Sequence, residues 1–115
     1  METTPRFLQG VFAFTGSGLD KFGPVGSGLT YMVPPDKRAQ LIYIRGGNSC
    51  AELICLLLMR DGKPMRYFPI GAKEGGHVSL AVVEDLEPDT KIELVISAPA
   101  GVSGSVVVDV GLLEI

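Results

Sequence analysis

Apolar and polar residues alternate most cleanly over residues 91–97, where Ile92, Leu94 and Ile96 share one face and Lys91, Glu93 and Ser97 share the other. Period-two alternation of this kind predicts a half-buried antiparallel strand. Similar segments recur along the chain at short intervals. Strands are expected over Phe7–Phe14, Leu29–Val33, Arg38–Arg45, Lys63–Ile70, His77–Val83, Lys91–Ser97 and Ser105–Ile115, separated by Pro34-Pro35, Gly46-Gly47-Asn48, Glu84–Thr90 and Ala98–Gly104. Within Arg38–Arg45 the pattern puts Ala39, Leu41 and Tyr43 on one face, with Gln40, Ile42 and Ile44 on the other. Fifteen glycines and eight prolines supply the breaks, a density that suits short strands and tight turns.

Residues 49–62, SCAELICLLLMRDG, carry two conflicting signals. Ser49 followed by Glu52 forms a helix capping box, and Gly62 could close a short helix at 50–60. Asp61-Gly62 is also a two-residue hairpin turn, with Lys63–Ile70 as the returning strand. The hairpin is the reading adopted. Together these elements predict an all-β fold: a single-domain antiparallel β-sandwich of jelly-roll or Greek-key type spanning 1–115, with about seven or eight short strands.

Two strands in this scheme are apolar on both faces. Leu53, Cys55, Leu57 and Met59 oppose Ile54, Leu56 and Leu58. In the closing run, Val106, Val108, Val110 and Leu112 oppose Val107 and Leu113, with Asp109 as the break. A two-layer sandwich buries one face of each sheet, so a second apolar face predicts a cover: another chain, an unrecognised helix or a ligand. Contact with another copy is the cover expected, making the protein a homo-oligomer.

The glycine-rich stretch FTGSGLDKFGPVGSGLTY repeats GSGL at 16–19 and 26–29. No helix is predicted after either copy and no P-loop lysine is in place, so phosphate cradling is not expected. Residues 15–28 are read as the one long irregular loop, with Leu19 and Leu29 anchored on the sandwich and Asp20, Lys21 and Phe22 projecting.

Composition narrows the functional classes. The 115 residues are 46% hydrophobic and 7% aromatic, and the mean hydropathy is +0.33. That describes a dense aliphatic core. Ten Lys and Arg against 13 Asp and Glu leave a net charge of −3, which disfavours nucleic acid and anionic membranes as partners. METTPRFLQG lacks the pattern of a signal peptide, and the longest apolar run, Leu53–Met59, is far short of the roughly 20 residues of a membrane span, so a cytoplasmic location is expected. Cys50 and Cys55 are read as reduced core residues.

A single histidine, His77, rules out a three-His metal site within one chain, and no cofactor is expected. No nucleophile elbow surrounds any serine. Arg60, Lys63 and Arg66 flank the predicted hairpin and suit either anion binding or edge solubility. The function expected is a non-enzymatic β-sandwich that self-associates and serves as a binding or assembly module. The alternative is a small enzyme or metabolite-binding protein holding a small molecule at a subunit interface, with His77, Arg45, Arg66 and Glu74 as ligand-binding residues. A carbohydrate-binding module is a third reading, which the absence of Trp weakens.

Overall fold

The computed structural model describes the backbone of residues 3–115 and their side chains except at 27 and 76–84. Eight strands form: β1 (Thr4–Thr15), β2 (Gly18–Met32), β3 (Ala39–Asn48), β4 (Ile54–Arg60), β5 (Lys63–Ile70), β6 (Gly75–Leu86), β7 (Lys91–Ala98) and β8 (Ser103–Glu114). Sheet A has the order β1-β8-β3-β6 and sheet B the order β2-β7-β4-β5. Every pairing is antiparallel, and the two four-stranded sheets make a jelly roll.

Residues 50–60 hold no helix. Asp61 and Gly62 both have positive φ, 50° and 81°, as a two-residue hairpin turn of the primed kind requires, and β4 returns directly as β5. Ser49, the would-be helix cap, serves sheet A instead. Its Oγ accepts from the Ser105 amide at 2.8 Å, and its own amide donates to the Ser105 carbonyl at 3.1 Å.

The core lies between the sheets. Val106, Val108, Val110 and Leu112 from β8 face Ile92, Leu94 and Ile96 from β7 and Ile54, Leu56 and Leu58 from β4, all of them buried. In β3 the expected alternation fails after Leu41. The register jumps between Leu41 and Tyr43 against both neighbouring strands, so Ala39, Leu41 and Ile44 are buried while Tyr43 and Arg45 point to the outer face. One extra residue at Ile42 is a β-bulge, which reverses the facing of all that follows.

The glycine-rich segment is not the long loop expected. It is strand β2, interrupted at 19–22 and 25–28, where its register against β7 breaks. The second apolar face of β4 is covered only in part, Leu57 being buried and Leu53 exposed, and this segment lies near it. Phe22 reaches Tyr67 on β5 edge to face, with ring centroids 6.1 Å apart, and β2 also touches β4 although β7 lies between them in the sheet. Leu57, directly opposite Tyr67, is only 3% exposed. Of the two anchors expected, Leu29 packs against the core and Leu19 is exposed; Val25 is buried in its place, and Phe22, expected to project, is half-buried.

Both copies of GSG have steric roles. A Cβ on Gly16 would sit 2.3 Å from the Pro99 carbonyl oxygen, and the Gly16 amide and carbonyl are both bonded to the loop before β8. Gly26 has φ +59° and presses on the Phe12 ring, where a Cβ would come within 2.5 Å.

At the far end the sheets are joined by a buried carboxylate. Glu114 of β8, 2% exposed, accepts from Arg6 Nε of β1 at 3.0 Å and from Tyr31 Oη of β2 at 2.6 Å. The Tyr31 hydrogen bond is the largest influence on the Glu114 carboxyl and lowers its pKa; Arg6 reinforces it and burial opposes it. Burial and then Glu114 push the Tyr31 phenol well above its ordinary range.

A group whose folded pKa is depressed contributes stability above its unfolded pKa and loses it as pH falls through the folded value. Urea denaturation of the wild-type protein should therefore show stability falling as the pH drops below about 4. Glu114→Gln should lose about 2 kcal/mol at pH 7 and show a flatter acid limb. Gly26→Ala should cost about 2–4 kcal/mol, combining left-handed backbone strain with the clash against Phe12, and thermal melting would read that loss.

Candidate functional site

The bulge at Ile42 sets up a transverse row on the outer face of sheet A. Gln9 of β1 is opposite Asp109 of β8, Asp109 is opposite Arg45 of β3, and Arg45 is opposite His77 of β6. The next row, two residues along, runs Val11, Val107, Gly47, Gly75. Two of its four positions lack side chains, which leaves a depression over β3 and the start of β6. The result is an open groove of about 820 Å³ lined by Gln9, Val11, Arg45, Gly47, Val107 and Asp109, among others. Val11 and Val107 stand beside it at 68% and 51% exposure.

Asp109 is held from one side. Tyr43 Oη donates to Asp109 Oδ1 at 3.0 Å, and the Tyr43 ring lies flat on Gly111, where a Cβ would be 2.1 Å from Cε2. A glycine opposite an aromatic residue lets the ring cover the strand backbone. The other carboxylate oxygen, Oδ2, lies 3.8 Å from Arg45 Nη1, a long pair with the arginine side chain 58% exposed. An exposed pair this loose contributes little to stability, and both partners keep hydrogen-bonding capacity for a ligand. Burial raises the Tyr43 pKa first, and the hydrogen bond to Asp109 and its charge raise it further, against Arg45.

One end of the groove is braced by Asn48, a buried polar residue. Its side-chain amide donates to the carbonyls of Glu52 at 2.7 Å and Gly71 at 3.1 Å, and its Oδ1 accepts from the Cys50 amide at 3.0 Å. Its backbone amide donates to the Glu74 carbonyl at 2.9 Å, fixing the turn that delivers Gly75 to the groove. Nearly every donor and acceptor of Asn48 is thus engaged, as a buried amide requires.

Of the four residues expected to bind a ligand, Arg45 lines the groove and His77 is its backbone neighbour in the sheet, although the His77 side chain lies outside the described residues. Glu74 is in the turn before β6, with its carboxylate over Gly71. Arg66 is on β5 in the opposite sheet, paired with Leu58, so it does not join the other three within one chain. Sequence reasoning missed Gln9 and Asp109. The available signal was Asp109 itself, the single charge within the apolar run of the closing strand.

No family model matches the sequence, and no curated protein matches it either. Solved structures do resemble it. The CBM36-1 domain of a multidomain xylanase from the hindgut metagenome of Trinervitermes trinervoides aligns with a TM-score of 0.59 and 14% identity, over 96% of both chains. The fold is shared. A second likeness, to a chain of the infectious bursal disease virus Gt strain, has a TM-score of 0.51 and 12% identity. It spans 97% of this chain and 32% of the viral one. At these identities the likeness concerns the jelly-roll architecture and not the chemistry of any site.

Replacing Asp109 by Asn removes the carboxylate that keeps the Tyr43 proton in place. Tyr43 should then ionise at lower pH, nearer the ordinary tyrosine value of about 10, which ultraviolet difference titration against wild type and Tyr43→Phe would detect.

Proposed function

We propose that the chain is a non-catalytic binding module that holds a polyhydroxylated ligand, a stretch of oligosaccharide, in the groove on the outer face of sheet A. The observation that carries this reading is the row Gln9–Asp109–Arg45, which places an amide, a carboxylate and a guanidinium side by side across three adjacent strands. Donors and acceptors in sequence suit a ring of hydroxyls, and the opposite charges of Asp109 and Arg45 impose no preference for a charged ligand. Val11 and Val107 offer an apolar platform for the C–H faces of a sugar, in place of the usual indole. The architecture shared with a carbohydrate-binding module supports the same reading. The one half-buried thiol supports a binding role over a nucleophilic one, because burial pushes the Cys55 pKa up and away from the reactive thiolate.

Self-association belongs to this proposal and has a specific observation behind it. Among the described residues, the large apolar side chains left exposed on sheet A are Phe7, Val11, Val107 and, at the bulge, Ile42, the first three on the β1–β8 side.

Affinity electrophoresis against a panel of soluble polysaccharides tests the ligand class. Wild type should be retarded by at least one of them. Arg45→Ala and Asp109→Asn should each weaken that retardation about tenfold, equivalent to about 1.4 kcal/mol, while melting within a few degrees of wild type. A wild-type protein that no polysaccharide retards contradicts the reading.

A further inference from the structure

We infer that two copies of the chain pair edge to edge through β1, antiparallel about a two-fold axis at Gln9, so that their sheets A join into one eight-stranded sheet. The inference rests on the self-association part of the reading above and names the surface that carries it.

Each sheet has two edge strands, and three of the four carry devices that discourage further pairing. β5 presents exposed Pro64 and Pro69 and the charge of Lys63, and its register against β4 is broken. β2 presents Pro24 and is interrupted twice. β6 has a register break against β3. β1 has none of these over most of its length. Its 12 residues pair with β8 without a shift, from Thr4↔Glu114 to Thr15↔Ser103, and among the described residues no strand is hydrogen-bonded to its other edge, although β2 lies near it. Its proline, Pro5, is near the start, and its only charge, Arg6, is engaged by Glu114. From Phe7 to Thr15 the strand is uncharged. A long, regular, uncharged edge is a template for another strand, and natural proteins leave such an edge open where it has a partner.

The residue pattern of β1 fits its own copy. About a two-fold axis at Gln9, Phe7 stands opposite Val11 of the second chain and Val11 opposite its Phe7, all four on the outer face. Phe7 and Val11 are 52% and 68% exposed in the single chain, and aromatic residues facing β-branched ones are favourable cross-strand pairs. The two Gln9 side chains meet on the axis, where each amide can donate to the other's carbonyl. Leu8 falls opposite Gly10, and no like charges are brought together. The pairing also has a consequence for the groove. Gln9 and Val11 form its β1 side, so the dimer would join two grooves end to end across the axis and each would be bounded by residues of both chains.

Sedimentation velocity without ligand tests the pairing from micromolar to roughly 200 µM. Wild type should sediment at twice the chain mass of 12.2 kDa, and Val11→Lys should shift the species to the monomer by at least tenfold in dissociation constant. Gln9→Cys should form an intermolecular disulfide under mild oxidation, because directly opposed residues on antiparallel strands lie within bridging distance, whereas Leu19→Cys on sheet B should not. A wild-type monomer at the highest concentration overturns the inference, as does a dimer that Gln9→Cys fails to crosslink. A monomer still retarded by polysaccharide would refute the pairing and leave the groove intact, and a wild-type dimer that no polysaccharide retards would do the reverse.

Discussion

One extra residue in β3 decides which chemistry reaches the surface of sheet A. Had the alternation of Ala39 and Leu41 continued unbroken, Tyr43 and Arg45 would face the core, where an unpaired guanidinium is untenable. The bulge at Ile42 keeps Leu41 and Ile44 buried and turns Tyr43 and Arg45 outward. Only then do Arg45 and Asp109 fall into one row, with the Tyr43 ring lying on Gly111 and its hydroxyl on Asp109. The groove is a consequence of backbone register more than of any individual side chain, and the glycines at 47 and 75 deepen it by leaving their positions empty.

The rest of the sandwich keeps that register in place. The apolar inner faces of β8, β7 and β4 provide the bulk of the burial, and Glu114 joins β1, β8 and β2 where the sheets would otherwise part. A buried carboxylate is expensive to desolvate, but here two donors satisfy it, one of them charged, and removing the carboxylate would leave both without their acceptor. Asn48 does the equivalent task with neutral groups, tying the segments on either side of β4 and β5 to the end of β3. Both residues contribute orientation as well as stability.

Much of this fold is legible in the sequence because its signals are local. Asp61-Gly62 fixes a hairpin against the competing capping box of Ser49 and Glu52, since both turn residues take the positive φ that a two-residue connection needs and a helix does not. The alternation of Ile92, Leu94 and Ile96 carries through unchanged. β2 is obscured because its glycines and Pro24 lower strand propensity, and its pairing with β7 rests on contacts some 70 residues away in the chain. The bulge leaves no local trace either: Ile42 is as apolar as its neighbours, and the shift appears only against β8 and β6. Asp109 is conspicuous as a charge in an apolar run, yet its meaning depends on Gln9 and Arg45, which only the sheet order brings beside it.

The most direct measurement is a nitrogen–proton correlation titration of the isotopically labelled protein with an oligosaccharide cut from whichever polysaccharide it retains. Binding in the groove predicts amide shifts concentrated at Gln9, Val11, Arg45, Gly47, Val107 and Asp109, with the β4–β5 hairpin and the 16–24 segment unmoved. Shifts confined to that hairpin or that segment, with sheet A silent, would contradict the account.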